Sequence, residues 1–177
     1  MLRGNPICQR HLGETYDLAM DVRGSAYFSD CGNFRPYLSR AWAQGPIIMW
    51  LCMNPSSATN TSDDATSRKL TAHSRRLGFG KLMLLNVMDY RATDPGQLPN
   101  GEERSPHNIC HIARCARHAN RVVFAYGGLR NNPAWRNYAN EAVAACQPAA
   151  VFRVQINKDG SPRHPRRFPA NFELEQL

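Results

Sequence analysis

At 177 residues the chain suits one domain that can bury a core without help from disulfides or metals. Its formal net charge of +8 comes mostly from scattered arginines and favours an anionic partner, nucleic acid first, although a basic surface that serves only solubility is the alternative. The six cysteines form no Cys-x-x-Cys pair, which argues against a zinc or iron–sulfur cage.

Targeting signals are also missing from the sequence. No segment has the length and apolar character of a membrane span, and residues 1–10 lack the apolar run of a signal peptide. We therefore expect a cytoplasmic protein with no membrane partner and with reduced cysteines, Cys8 among them. The sequence sets no oligomeric state.

The N-terminal part of the chain predicts a hairpin or a short antiparallel edge. Ala26-Tyr27-Phe28 and the apolar stretch at 34–38 flank the turn-like sequence Cys31-Gly32-Asn33. We expect a single domain over residues 1–177, with a hairpin or edge segment at 1–45 and an α/β core at 46–170.

Four runs of strand length follow. The run at 47–53 is unbroken and apolar, as a strand covered on both faces requires. The others are short and apolar or β-branched, and they lie at 81–85, 121–126 and 151–156. Each is preceded by a polar stretch.

Helical patterns separate these runs. The first starts after Ser62, a good N-cap, and covers residues 63–77. A second covers 108–119, and a third begins at Asn132-Pro133. Strand alternating with helix at this spacing predicts an α/β fold with a four-stranded parallel sheet and right-handed crossovers.

Polar residues stand directly after all four predicted strands. Ligands of open parallel sheets bind outside the carboxyl ends of the strands, so these loops should share one rim. The candidates on that rim are Asn54, Pro55, Ser56, Asp63, Asp64, Asn86, Tyr90, Arg91, Tyr126, Gly127, Arg163 and His164. Taken singly, Asn54-Pro55 could be a simple turn, and Asp63 and Asp64 could be dipole partners of their helix. Convergence of all four loops favours a site.

Several motifs, in order from about residue 25 to 170, resemble domain-of-unknown-function family 1643, which is found in bacteria and phages. They are Tyr37-Leu38-x-Arg40-x-Trp42, Met53-Asn54-Pro55-Ser56, Asp63-Asp64-x-Thr66, Gly78-Phe79-Gly80, Asn86, Arg91-Ala92-Thr93-Asp94-Pro95, Tyr126-Gly127 and Gly160-x-Pro162-Arg163-His164-Pro165. Tyr126 stands where many members have Trp. The resemblance implies no particular activity.

A more distant likeness is to the uracil-DNA glycosylases. Asn54-Pro55 resembles a motif of their mismatch-specific branch, Leu85-Asn86-Val87-x-x-x-Arg91 is similar to a stretch of the thermophilic branch, and His164-Pro165 falls where a His-Pro motif belongs. This likeness implies a three-layer sandwich around the four-stranded parallel sheet. It also implies hydrolysis of an N-glycosidic bond of a damaged or modified nucleobase in DNA or in a nucleotide.

The same likeness assigns roles to individual residues. Asn54 would orient a water, with Asp63 or Asp64 as the alternative activator, and His164 would stabilise negative charge on the departing base. Asn86 would read the base edge, and Tyr90 or Tyr126 would stack on it. Pro55, Ser56, Arg91 and Gly127 complete the predicted substrate site. Phosphate contacts and an apolar wedge for base flipping are predicted in the basic segment at 163–169, from Arg163, Arg166, Arg167 and Phe168.

Two departures leave alternatives open. The serine that follows His-Pro in the glycosylases is missing, and Asp63-Asp64-x-Thr66 has no glycosylase counterpart. A non-catalytic nucleic-acid-binding module is therefore the second hypothesis. The third is a metal-dependent phosphate-processing enzyme, which would need Asp63, Asp64 and a third carboxylate such as Asp89 or Asp94 within reach of one ion. The glycosylase hypothesis includes no metal or cofactor, and it needs Asn54, Asn86 and His164 to converge.

Overall fold

The computed structural model describes residues 14–177, so the predictions for residues 1–10 and for Cys8 lie outside its range. Nine strands and three helices are present in that range. The strands are β1 (Tyr16–Asp17), β2 (Arg23–Tyr27), β3 (Tyr37–Ala41), β4 (Ile47–Cys52), β5 (Ser62–Asp63), β6 (Lys81–Asn86), β7 (Arg121–Phe124), β8 (Val151–Arg153) and β9 (Glu175–Gln176). The helices are α1 (Ala65–Arg76), α2 (Asn108–His118) and α3 (Pro133–Ala145).

Seven of the strands form one mixed sheet in the order β2-β3-β6-β4-β7-β8-β9. Neighbours within β6-β4-β7-β8 run parallel, whereas β2, β3 and β9 join the two edges as antiparallel strands. The structure is thus a mixed α/β fold, which confirms the predicted class. Its sheet is wider than the expected four strands because the predicted N-terminal hairpin, β2 with β3, continues it through β6.

Helices cover both faces of the sheet. Side chains of β4 alternate, so that Met49 and Leu51 pack with α2 and α3 while Ile48 and Trp50 pack on the side of α1. All four of these side chains are fully buried, as expected for a strand at the centre of the sheet. Trp50 Nε1 also donates a hydrogen bond to Ser74 Oγ on α1 at 2.9 Å, which fixes where this helix lies on the sheet.

The start of α1 differs from the prediction. Ser62 and Asp63 form β5, which pairs with β1, so the N-cap is Asp64 and not Ser62. Asp64 Oδ1 accepts a hydrogen bond from Ser67 N at 2.7 Å, and Asp64 N donates to Ser67 Oγ at 2.9 Å. This reciprocal capping box fixes the Asp64 carboxylate at the beginning of the helix.

Two buried arginines hold the long loop between β4 and α1. Arg40, which is fully buried, donates to the carbonyl oxygens of Thr59 and Ser62 at 2.8 Å each and forms a 2.9 Å ion pair with Asp63. Arg35 donates to the carbonyl oxygen of Ala58 at 2.8 Å. The loop is therefore tied to β3 and its neighbourhood through backbone groups and one carboxylate.

Within residues 14–177, the structure contains no helix with the length and apolar character needed to cross a membrane.

Candidate active-site cleft

A cleft of about 1130 Å³ lies where the loops after β4, β6, β7 and β8 meet. The lining residues come from these four loops and from the beginning of α1: 53–54, 56–57, 92–93, 95, 127–131, 157–159, 163–164, 166–167 and 64–66. The cleft thus occupies the edge of the sheet that the sequence indicates, at the carboxyl ends of the parallel strands.

Asn54 lines the cleft and its side chain is fixed on one side. Its Nδ2 donates to the carbonyl oxygen of Ala92 at 2.7 Å and to that of Pro55 at 3.1 Å. Because both partners are acceptors, the amide nitrogen must face them. The carbonyl oxygen Oδ1 accepts no hydrogen bond from residues 14–177 and is available to a water or a ligand.

The loops after β4 and β6 form one wall of the cleft together. Pro55 is buried, and its carbonyl oxygen accepts a hydrogen bond from Ala92 N at 2.8 Å. Ser56 Oγ lies 3.1 Å from Thr93 Oγ1, and both hydroxyls belong to cleft-lining residues. We call residues 54–57 and 92–93 the β4 wall.

His164 also lines the cleft, next to Gly127. Its Nδ1 accepts a hydrogen bond from Arg166 N at 3.2 Å and so caps the short 3₁₀ helix Pro165–Arg167. Burial, and then the charges of Arg166, Lys69 and Arg167, lower the pKa of His164 to about 4, against a smaller opposing effect of Asp64. The ring is therefore neutral at pH 7, and its proton lies on Nε2 because Nδ1 is an acceptor.

The two neighbouring aspartates differ in position. Asp64 lines the cleft while it caps α1. Asp63 is not among the lining residues, because its Oδ1 accepts hydrogen bonds from Arg40 Nε at 2.9 Å and from Ser67 Oγ at 2.7 Å. Only Asp64 is placed to meet a molecule in the cleft.

Five predicted substrate-binding residues do not line the cleft: Pro55, Asn86, Tyr90, Arg91 and Tyr126. Asn86 is 1% exposed, and its Nδ2 donates no hydrogen bond to any of residues 14–177. The Tyr90 ring packs edge-on against Phe34, and Arg91 donates to the carbonyl oxygen of Gly32 at 3.1 Å. The partly buried Tyr126 ring lies beside Phe124. The convergence expected of Asn54, Asn86 and His164 is therefore found only for Asn54 and His164.

The basic segment at 163–169 also contains residues that line the cleft and one predicted site residue that does not. Arg163, Arg166 and Arg167, which were predicted to contact phosphates, line the cleft. Phe168 is 6% exposed and packs against Trp50, with ring centroids 5.9 Å apart, and against Phe172 at 5.2 Å. The prediction of Phe168 as an apolar wedge is wrong, because the side chain belongs to the core between the sheet and α1.

The loop after β7 contributes residues that the sequence analysis missed. Gly127 was predicted, but Arg130 and Asn131 also line the cleft, together with Asn157 from the loop after β8. Three successive non-glycine residues, Leu129 to Asn131, have positive φ of 51°, 50° and 56°. The Gly127-Gly128 pair is the sequence signal that could have pointed to this loop, since paired glycines permit backbone conformations closed to other residues. We call residues 127–131 the β7 loop.

The carboxylates do not form a metal site in the described range. No group of three His, Cys, Asp or Glu side chains among residues 14–177 lies close enough to hold an ion. Asp63 pairs with Arg40, Asp89 accepts hydrogen bonds from Ser105 N and Oγ, and Asp94 accepts one from Gly96 N. The geometry required by the phosphate-processing hypothesis is therefore not met by these side chains.

Comparison with known proteins gives one match. Searches of curated proteins and of solved structures find nothing similar at a significant level. A family model described as "Protein of unknown function (DUF1643)" matches residues 35–166, a range that includes the β4 wall, the β7 loop and His164. The chain therefore belongs to the DUF1643 family.

Proposed function

We propose that the protein is a uracil-DNA glycosylase-like hydrolase that cleaves the N-glycosidic bond of a damaged or modified nucleobase. The observation that supports this most is the arrangement of Asn54 and His164 around one cleft. Each side chain has one polar atom fixed by the backbone, and this leaves an acceptor on Asn54 and a donor on His164. Residues fixed in this way are what a preorganised active site requires.

The reaction divides between these two residues. Asn54 Oδ1 accepts a hydrogen bond from a water and orients its oxygen toward the anomeric carbon of the sugar. As the bond from that carbon to the base nitrogen breaks, the electron pair leaves with the base and the sugar becomes oxocarbenium-like. The Nε2 proton of His164 stabilises the negative charge on the base. The water oxygen then bonds to the anomeric carbon, and its proton is released to solvent or to the base.

A neutral histidine suits this role. The low pKa of His164 keeps the ring uncharged at pH 7, and the neutral ring still carries the Nε2–H donor that the departing base requires. Asp64, which also lines the cleft, is the second candidate for orienting water. The parallel neighbours β6, β4, β7 and β8 support a comparison with the glycosylase sheet.

Base release from defined substrates tests the proposal. The substrates are oligonucleotides and free nucleotides with deaminated or phage-type modified bases, and mass spectrometry detects the released base. We expect Asn54→Ala to lower the rate by about 100-fold or more, since positioned acid–base groups contribute on that scale. Asn60→Ala is the matched control, because Asn60 is exposed in the same loop but does not line the cleft. Equal rates in both variants would refute the assignment.

The basic cleft lining favours a second candidate, a nucleic-acid-binding module without catalysis. Arg163, Arg166 and Arg167 all line the cleft, as phosphate-binding side chains would. This candidate requires oligonucleotide affinity that falls steeply with added salt and no base release from any substrate. Affinity that is absent, or that salt does not change, would reject it. A cytoplasmic location stays a prediction under both candidates.

A further inference from the structure

The β7 loop has a backbone conformation that gathers N–H groups. Gly127 has φ of 74°, Gly128 has φ of −76° and ψ of 3°, and Leu129 has φ of 51°, so the hand of the backbone alternates along three residues. Successive residues of alternating hand turn their N–H groups toward one concave side, and such a nest is a recurrent anion site.

The N–H groups of this nest are unused. Backbone hydrogen bonds in the loop begin with Asn131 N, which donates to the Gly128 carbonyl oxygen at 3.0 Å. The N–H groups of Gly127, Gly128, Leu129 and Arg130 donate to no acceptor in residues 14–177, although all four residues line the cleft. Four neighbouring donors are therefore available to one ligand.

Charge around the nest is complementary to an anion. Five basic side chains and three carboxylates line the cleft. Lys158, Arg166 and Arg167 are exposed, and none of them forms an ion pair with a carboxylate in the described range. A positive field at the rim and convergent N–H groups beneath it match a phosphate group.

Backbone strain points to the same loop. Non-glycine residues with positive φ each cost free energy, and the β7 loop has three in a row, Leu129, Arg130 and Asn131. The strained segment lines the cleft, and strain of this kind concentrates at binding and catalytic sites.

We propose that the β7 loop binds the terminal phosphate of a free nucleotide, so that the substrate is a nucleoside 5′-phosphate that enters the cleft whole. This inference rests on the proposed function and specifies its substrate class. Four convergent donors suit the three terminal oxygens of a phosphate monoester better than the two of a backbone diester. A cleft of about 1130 Å³ also exceeds what one base needs.

The lining of the cleft argues against duplex DNA. Enzymes that flip a base commonly insert an apolar wedge into the stack. The large apolar side chains that are exposed in residues 14–177 are Met20, Tyr27, Ile156 and Leu177, and none of them lines the cleft. Phe168 is buried in the core. A free nucleotide needs no wedge.

Amide NMR tests the phosphate site directly. Inorganic phosphate, and then the four deoxynucleoside 5′-monophosphates, are titrated at constant ionic strength, with chloride as the control anion. We expect saturating shifts of the Gly127 and Gly128 amides, whereas Gly78 and Gly101, which also have positive φ but lie outside the cleft, stay unchanged. Unmoved Gly127 and Gly128 amides, or equal shifts with chloride, would overturn the proposal.

Two substitutions at one position separate the N–H group from side-chain bulk. Gly128 has a φ that proline can adopt, so Gly128→Pro removes the N–H, whereas Gly128→Ala keeps it. Both add a Cβ near Asp159 Oδ2, at 3.0 Å. We expect the proline variant to bind the monophosphates at least tenfold more weakly than the alanine variant does. Equal affinities would refute the site, and the titration of the unsubstituted protein decides the matter if the proline variant does not fold.

A comparison of ligands tests whether the bound phosphate belongs to a free nucleotide or to DNA. We expect each monophosphate to bind at least tenfold more tightly than its nucleoside and to release its base faster. Tighter binding and faster base release with duplex DNA would overturn the free-nucleotide assignment while leaving the glycosylase proposal intact. Phosphate binding at Gly127 and Gly128 without release of any base would refute the glycosylase proposal, and with it the substrate assignment, while leaving the phosphate site intact.

Discussion

The β4 wall and the β7 loop face one cleft but are built in opposite ways. The loop that carries the β4 wall is fixed by buried arginines, and Asn54 donates to two backbone carbonyls. The β7 loop has three strained residues and four N–H groups that donate to nothing in residues 14–177. The β4 wall is thus held in place by the protein itself and leaves Asn54 Oδ1 open, whereas the β7 loop leaves a row of N–H groups for a ligand.

Replacing Arg40, which holds the loop that carries the β4 wall, should have the largest effect on stability. In Arg40→Met the Asp63 carboxylate loses its buried partner, and the carbonyls of Thr59 and Ser62 lose a donor. We expect the free energy of unfolding to fall by about 3–5 kcal/mol in urea titrations. Arg75→Met removes an exposed ion pair with Asp21 and should cost far less, because water screens that pair. Similar losses in the two variants would contradict the anchoring role of Arg40.

The pH dependence of stability measures how much the buried, neutral ring of His164 contributes to the fold. Its pKa of about 4 in the folded protein lies below the usual value, so the unfolded chain binds the proton more readily. The stabilisation is complete above about pH 6.5 and is lost as the pH falls toward 4, by up to roughly 3 kcal/mol.

His164→Gln should therefore flatten the stability curve between pH 6.5 and 4. His73 and His111, whose pKa values burial also lowers, add a slope of the same sign, so the difference between the variant and the unsubstituted protein is the quantity to measure. An identical slope in the His164 variant would show that its ring is not buried as a neutral group.

Relief of strain in the β7 loop should separate stability from binding. Arg130 has φ of 50° and ψ of 27°, which glycine adopts freely, so Arg130→Gly should raise the free energy of unfolding by up to about 1 kcal/mol. The same change removes a cation of the cleft and should weaken phosphate binding. Arg136→Gly, within α3, should instead destabilise by about 1 kcal/mol. Destabilisation by Arg130→Gly would mean that its backbone is not strained.

The smallest effect is expected at Asp159. Hydrogen bonds from Ser161 lower the pKa of this exposed carboxyl, so it is charged near the nest and opposes an incoming anion. Asp159→Asn keeps an acceptor for Ser161 and should tighten phosphate binding about two- to fivefold at low salt. Asp21→Asn, at an exposed position outside the cleft, should not change it. Weaker binding in the Asp159 variant would place the anion elsewhere.

The sequence was most informative where periodicity carries the signal. The runs at 47–53, 81–85, 121–126 and 151–156 all contain strands, because burial on two faces leaves an unmistakable apolar pattern. The rim was located by the same logic, and both Asn54 and His164 line the cleft that lies there. What the pattern could not give was the direction of side chains after a strand ends.

Three predictions that differ from the structure show that sequence pattern does not give side-chain direction beyond the end of a strand. Asn86 is the last residue of β6 and is buried within the fold, so its position at the rim did not make it part of the cleft lining. Phe168 follows two exposed arginines but turns into the core against Trp50. Ser62 resembles an N-cap but pairs with β1 as part of β5. In each case tertiary packing, which is nonlocal, decided the outcome.

The way Arg40 is anchored has a consequence for engineering. It holds the loop before α1 mainly through main-chain oxygens of Thr59 and Ser62, and such contacts do not depend on which side chains those positions carry. Exposed positions such as Asn60 and Thr61 should therefore accept randomisation while the loop keeps its course. The scaffold is suited to libraries that vary this loop without rebuilding the fold.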